Sequence, residues 1–429
     1  MKKSEGVPMR LVSLSFLALC LPMAAAVYRM LPARARVGAL LVLDLAFYGA
    51  AAGRDAWLLP ALAVLSALAV QCRVPRGISI PVLVLVFAAC RAVGFAPCGL
   101  AFFVLRAVGF LASACGRACS APTAVCYLLF FPAVTMGPLL DCDGFCRDLA
   151  APADAAHCAD AVCRISRGLV RKFVFADPLL RAFSAFVAHQ TALGAAAALL
   201  AFSLYLYFDF SGYTDVAVGV GGVFGFHLPE NFDYPYVSRS VGEFFRRWHA
   251  TLGGWLFRYV YLPLGGSRRG ARRTLLSLAA VWLVSALWHG ADARYLLWGA
   301  YFFVLLAAEK LCLPKGFRLG ALPTAVTVSL GWVFFFSESA AAAFAFFGRL
   351  FLVGGTLLYS RADFYDVLRF APFLLLSALA ATPLLRDAAA RLFRRYGDFP
   401  RHTAALFGFV LALAYAASDG YAPFLYASY

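Results

Sequence analysis

Two of the six histidines in this 429-residue sequence stand where an imidazole could do chemistry. His289 lies in Leu287-Trp-His-Gly290, at the far end of an apolar run that begins after Arg272-Arg273; on a helix that puts it roughly 24 Å from Arg273. His249 closes Phe244-Phe-Arg-Arg-Trp-His249, beside Arg246, Arg247 and Trp248. Apolar surroundings favour the neutral imidazole, which is the form a general base requires. Such a base could take the proton from an alcohol as the alcohol attacks an acyl carbonyl. The same residues also fit a plainer role, each ring hydrogen-bonding a neighbouring helix.

Acids accompany them. Asp209 and Asp215 flank Ser211-Gly212 in Leu204-Tyr-Leu-Tyr-Phe-Asp-Phe-Ser-Gly-Tyr-Thr-Asp215, and Ser-Gly readily breaks a helix. Carboxylates at membrane depth are costly unless paired or wet, so they mark function; at an interface the same two acids would cap helix starts. The remaining histidines, His157, His189, His227 and His402, read as loop or interface residues. No nucleophile elbow, Walker loop, dinucleotide fingerprint or zinc-protease helix is present, which argues against a covalent serine mechanism and against ATP hydrolysis by this chain. Cys142, Cys146, Cys158 and Cys163 with His157 lack the two-residue gaps of a zinc site, so no metal is expected.

The elements that must position these groups are membrane helices. With 63% hydrophobic and 14% charged residues, the chain is far more apolar than a soluble domain. Its +16 charge comes from short arginine clusters between apolar runs, which read as topology signals and lipid-headgroup partners rather than a nucleic-acid face. Lys2, Lys3 and Arg10 precede an apolar run ending in Pro22-Met-Ala-Ala-Ala26; this resembles a signal peptide, but in a chain with so many apolar runs a retained first helix is expected. The sequence Tyr127 to Leu139, with two prolines and a glycine, predicts a broken helix, tolerated in lipid only where its freed backbone groups are satisfied. From Leu140 to Asp177 the chain is polar, and Ile165, Leu169, Phe173 and Val174 predict an interfacial helix there. Ser240-Val-Gly-Glu243 has the capping-box pattern and predicts one helix carrying Phe244, Phe245, Trp248, Leu252 and Trp255 on its apolar face. Eight arginines and one acid between Arg239 and Arg273 mark a cytoplasmic region, as does the basic loop from Arg386 to Arg401. Both loops share a side only if one of the five apolar runs between them is partial, and Ala340 to Tyr359 is the expected one. The whole reads as an all-α polytopic protein of about ten to twelve membrane segments in a single domain over residues 1–429.

Five ordered motifs then carry a resemblance. Tyr207 to Asp215, Phe224-Gly-Phe-His-Leu-Pro-Glu-Asn-Phe232, Arg246-Arg-Trp-His249, Tyr261-Leu-Pro-Leu-Gly-Gly266 and Trp288-His-Gly290 resemble the signature of membrane-bound O-acyltransferases, nearest the alginate O-acetylation type and more distantly the teichoic acid D-alanylation protein. Phe130-Phe-Pro132, Gly137-Pro138, Gly168-Leu-Val-Arg-Lys172 and Pro423-Phe-Leu-Tyr426 are similar to further landmarks of that family; the core motifs span 127–290. Phe245, Gly253-Gly254 and Phe257-Arg258 depart from the family pattern, on the side the resemblance assigns to the donor.

The resemblance implies a ring of helices with re-entrant and interfacial pieces around a central tunnel, joining a cytoplasmic donor site to an extracytoplasmic acceptor site. His289 corresponds to the tunnel histidine and His249 to the second motif histidine, with Asp209, Asp215, Asn231, Arg246, Arg247, Trp248 and Trp288 shaping the tunnel and binding polar groups. It further implies no permanently bound cofactor and a thioester donor, acetyl-CoA or the phosphopantetheine of an acyl carrier protein. An exported glycan would be the acceptor, membrane lipid the surroundings, and a separate extracytoplasmic acyltransferase a partner, in the inner membrane of a bacterial cell. The rival reading is a relay, transporter or scaffold that leaves the transfer to that second protein.

Overall fold

The computed structural model describes residues 11–419 apart from 14, 96, 114–117, 152–153 and 315. Lys2, Lys3, Arg10 and the Pro423 to Tyr426 motif lie outside the described residues. Among those described, every regular element is a helix, and β pairing is confined to two isolated bridges. The helices Ala33–Asp55, Ala192–Val223 and Gly270–His289 are long and apolar enough to cross a membrane; Arg361–Ala380 with Pro383–Tyr396 is a bent fourth candidate, and shorter apolar helices accompany them. This is an all-α polytopic membrane protein. The chain clusters into two compact units, one within residues 1–169 and 212–229, the other within 170–211 and 230–422.

In the first unit, helices α1 (Ala33–Ala52), α2 (Leu100–Ala112), α3 (Ala121–Leu129) and α4 (Phe131–Val134) are built around the expected break. Phe130, at φ −39° and ψ 102°, separates α3 from α4. A break leaves carbonyls behind it and N–H groups ahead of it without helical partners. Arg106 from α2 donates to the carbonyls of Tyr127 (3.2 Å) and Leu128 (3.3 Å), and Asp44 from α1 accepts from the N–H of Phe131 at 2.8 Å. Both side chains are buried, so one end of the broken helix meets donors and the other an acceptor, as its freed backbone groups require. Asp44 and Arg106 sit singly in apolar runs, and nothing local in the sequence ties them to a break 20 or more residues away.

Helix α5 (Ala155–Leu169) packs in the same unit against the C-terminal part of α6 (Ala192–Val223). Here the expected helix break at Ser211-Gly212 does not occur: α6 is continuous over 32 residues. Its glycines serve close approach instead. A Cβ on Gly168 would lie 2.6 Å from the Gly212 carbonyl oxygen, and one on Gly219 would lie 2.6 Å from Ile165 and 2.7 Å from the Ala161 carbonyl. Small residues at matching positions let two helices approach to backbone contact, which larger side chains would forbid. The expected interfacial helix is therefore packed, with Ile165 and Leu169 buried.

The second unit holds α7 (Val241–Arg247), α8 (Ala250–Leu256), α9 (Gly270–His289), α10 (Ala293–Leu311), α11 (Ala321–Phe336), α12 (Ala340–Leu350), α13 (Arg361–Ala380) and α14 (Pro383–Tyr396). Helix α12 ends after 11 residues, about 16 Å and half the hydrocarbon thickness. The chain beyond it returns to α6, where Ala192 and Leu193 donate to the carbonyls of Leu357 and Leu358 at 3.0 and 2.9 Å. Between α13 and α14 the axis turns by 65°. Arg386, in α14 where the sequence reads a basic loop, stacks 4.9 Å from the Tyr234 ring and lies 3.8 Å from Asp233.

Candidate active site

His289 is the last residue of α9, and the chain leaves the helix at Gly290, whose N–H bonds the Ala286 carbonyl at 3.0 Å. Asp292 then caps α10 through the N–H of Arg294 at 2.9 Å, turning the chain back along α9. The return is tight, because Gly299 faces the Trp282 carbonyl with room for hydrogen only. His289 is consequently 5% exposed. Its ring centroid lies 5.0 Å from Phe335, 5.1 Å from Trp298, 6.1 Å from Tyr295 and 4.7 Å from Trp288.

His249 is reached differently. The single helix expected from Ser240 to Trp255 is interrupted at Trp248-His249, where His249 takes φ 45° and ψ 48°, a left-handed conformation. The cause is a non-local backbone partner. Asp233 N–H bonds the Arg247 carbonyl and Ala250 N–H bonds the Asn231 carbonyl, both at 3.0 Å, with Phe232 bridged to Trp248 between them. Asn231 also accepts from the Thr251 N–H (3.1 Å) and hydroxyl (2.9 Å), so its side chain caps α8. We refer to residues 231–233 as the clip. Upstream, Ser240 caps α7 as its pattern predicts, but Glu243 accepts from the Arg239 N–H at 2.9 Å rather than from Ser240. That bond, with Arg247 and Arg246 nearby, holds the Glu243 carboxyl below the usual range.

The clip brings His249 to 4.8 Å from Phe210 and 6.4 Å from Trp288, measured between ring centroids. Trp288 is thus shared by both histidines, and their separation is bounded by the sum of its two spans. Trp248 points instead into an aromatic cluster of Phe232, Phe244 and Trp332 at 5.1, 5.5 and 5.1 Å. Arg246 and Arg247 line a separate polar cavity of about 640 Å³ with Glu243, Glu309, Lys310 and Arg318. Arg247 pairs with Glu243 at 3.0 Å, and Glu309 is spent on Ser240 and the Gly242 N–H.

The two acids have separate partners. Asp209 is fully buried against Lys172, whose ammonium lies 2.8 Å from Asp209 and 2.8 Å from Asp177. Asp215, in the first unit, is gripped by Arg164 at 3.0 Å and Arg167 at 2.8 Å. Asp177, Arg164 and Arg167 are the residues a reading by motif passes over, and Lys172 enters it only as the end of a family landmark. The signal for them is physical: a carboxylate at depth demands a cation, and the basic run from Arg164 to Lys172 is one supply of them. The structure therefore gathers His249, His289, Trp288 and Asn231 in one unit, while Asp215 belongs to the other.

The sequence model of MBOAT, the membrane-bound O-acyltransferase family, matches residues 111–353. Among characterised proteins, the chain is 35% identical over 274 residues to the probable alginate O-acetylase AlgI of Pseudomonas syringae pv. tomato, covering 60% of this chain and 52% of that one. It is 37% identical over 154 residues to the peptidoglycan O-acetyltransferase of Helicobacter pylori, covering 34% and 29% respectively. To the teichoic acid D-alanyltransferase of Bacillus subtilis it is 30% identical over 194 residues, covering 42% and 49%. The chain thus spans about half the length of the AlgI proteins it matches.

Proposed function

The chain belongs to the membrane-bound O-acyltransferase family, and from that premise we propose that it moves an acetyl or other short acyl group from a thioester donor to hydroxyls of an exported cell-surface polysaccharide. The observation that carries this reading is a pair of buried imidazoles that both neighbour Trp288, one ending a helix and one held at a helix break. His289 takes the proton of the acceptor hydroxyl as its oxygen attacks the thioester carbonyl. The C–O bond forms, the C–S bond breaks, and the departing thiolate receives the proton from the imidazolium. His249 supports this exchange from the clip. The relatives named as acetylases of alginate and peptidoglycan favour a glycan acceptor.

The donor side is the polar cavity of Arg246 and Arg247, where Lys310 and Arg318 add two further cations. Both donor candidates, acetyl-CoA and a carrier-bound phosphopantetheine, present phosphate, which guanidinium forks bind well. No cofactor stays bound. A single domain with its helices ringed around a tunnel, in a bacterial inner membrane, would join this side to the acceptor. Asp209 and Asp215 are committed to cations and act by fixing the helix between them. The teichoic acid D-alanyltransferase similarity supports a second reading, a relay that hands the acyl group to an extracytoplasmic acyltransferase or takes it from a carrier protein. Purified protein in liposomes, supplied with acetyl-CoA and de-esterified polysaccharide, separates the two. Ester formed by this chain alone supports transfer; ester formed only when a second protein is added supports the relay.

A further inference from the structure

Helix α14 leaves a part of the surface unexplained by acyl transfer. It follows α13, which together with it passes as one bent span, and it turns 65° away from that axis. If α13 crosses the bilayer, α14 emerges at its surface and leans most of the way into the membrane plane. None of its residues is buried. At 100° per residue, Leu384, Leu385, Ala388, Leu392, Phe393 and Tyr396 fall in one half of the helix, with Arg395 between Leu384 and Ala388, and Arg386, Arg391 and Arg394 fall in the other half. Leu384, Leu392 and Tyr396 are 60%, 51% and 58% exposed, an apolar stripe with no protein over it among the described residues. Three arginines against one acid, Asp387, set the charge of the polar half. An apolar stripe edged by arginine, fixed by the chain at the end of a span, suits the acyl–headgroup boundary of an anionic leaflet.

Arg386 gives this helix a second contact. Its guanidinium stacks on Tyr234 at 4.9 Å and meets Asp233 at 3.8 Å, while also pairing with Asp387 at 2.9 Å. Asp233 belongs to the clip that breaks the helix at His249. We infer that α14 is an interfacial helix that seats on anionic phospholipid and, through Arg386, braces the segment that holds His249. Arg386 is a positioning residue in this scheme. The surface is independent of the donor or acceptor that the transfer reaction uses.

The whole chain in nanodiscs of phosphatidylcholine alone, or of phosphatidylcholine with phosphatidylglycerol, tests this by hydrogen exchange. Phosphatidylglycerol is expected to slow exchange across residues 383–396 by roughly tenfold, given the attraction of several arginines to an anionic surface. Combined Arg391→Gln, Arg394→Gln and Arg395→Gln should abolish that difference while leaving the rest of the exchange map unchanged. Arg386→Gln should raise exchange at residues 231–236 with the lipid effect on α14 largely retained, and Arg386→Lys should restore protection at 231–236. Equal exchange at 383–396 in both lipids, with wild-type protein, overturns the lipid seat. So does protection that appears only when an acidic soluble protein such as an acyl carrier protein is added, because α14 would then be a protein-docking face. Unchanged exchange at 231–236 in Arg386→Gln overturns the brace.

Discussion

The two histidines are held by opposite means. His289 ends a regular 20-residue helix and is fixed by the rings of Trp298, Phe335 and Tyr295, with no unusual backbone. His249 sits at a left-handed turn fixed by backbone bonds to the clip and by the Asn231 cap. Packing tolerates modest changes of shape, because neighbouring rings can relax. A hydrogen-bonded clip does not, since losing one partner leaves buried polar groups unsatisfied. The polar side of the site is thus expected to be the fragile one and the aromatic side the tolerant one.

The sharpest break in that contrast comes from Lys172, which lies in the same unit and is buried between two carboxylates. Lys172→Met leaves Asp209 and Asp177 buried without their cation and should cost about 3–5 kcal/mol, read as early loss of monodisperse protein on heating in detergent. Next is Asn231→Ala, which removes the cap from α8 and should cost about 1 kcal/mol, with turnover falling more than donor affinity. Asn231→Asp keeps the accepting oxygen and should recover most of both. Phe335→Leu, on the aromatic side, should cost about 1 kcal/mol with turnover reduced less than in Asn231→Ala; the reverse order would break the comparison. The smallest effect is a gain. Glycine relieves a left-handed backbone that costs other residues roughly 1–2 kcal/mol, so His249→Gly should unfold no earlier than wild type, whereas His249→Ala keeps the strain. Both lose the imidazole, so a shared fall in activity belongs to the ring and any difference in stability to the backbone.

Much of this is legible in the sequence. The acids and histidines stand out in a chain this apolar, the Ser240 cap follows from its pattern, and Tyr127 to Leu139 announces its own break. The features that sequence conceals depend on partners far away in the chain. Ser211-Gly212 and Trp248-His249 show this from both directions. The glycine that reads as a breaker lies inside a continuous helix, with its carbonyl packed where a side chain on Gly168 would fall. The apolar repeat that reads as one helix is cut, because residues 231–233 pair across it. Local propensity gives glycine two uses and leaves the choice to packing. Asn231 likewise reads as a polar group for substrate, and its amide oxygen also caps a helix that follows a break the sequence does not announce. Asp44 and Arg106 escape a local reading for the same reason, each satisfying a break carried by another helix.

The most direct test concerns His289 itself. Cells lacking this protein would be complemented with wild type or His289→Ala at matched membrane abundance, and the ester content of their isolated envelope glycans measured by mass spectrometry. Loss of a general base lowers rate by about 10²–10⁴, so wild type should restore an O-acyl ester and His289→Ala should leave it near the level of the deletion. Equal ester in both would contradict the account, making His289 a packing residue and giving the transfer step to another protein.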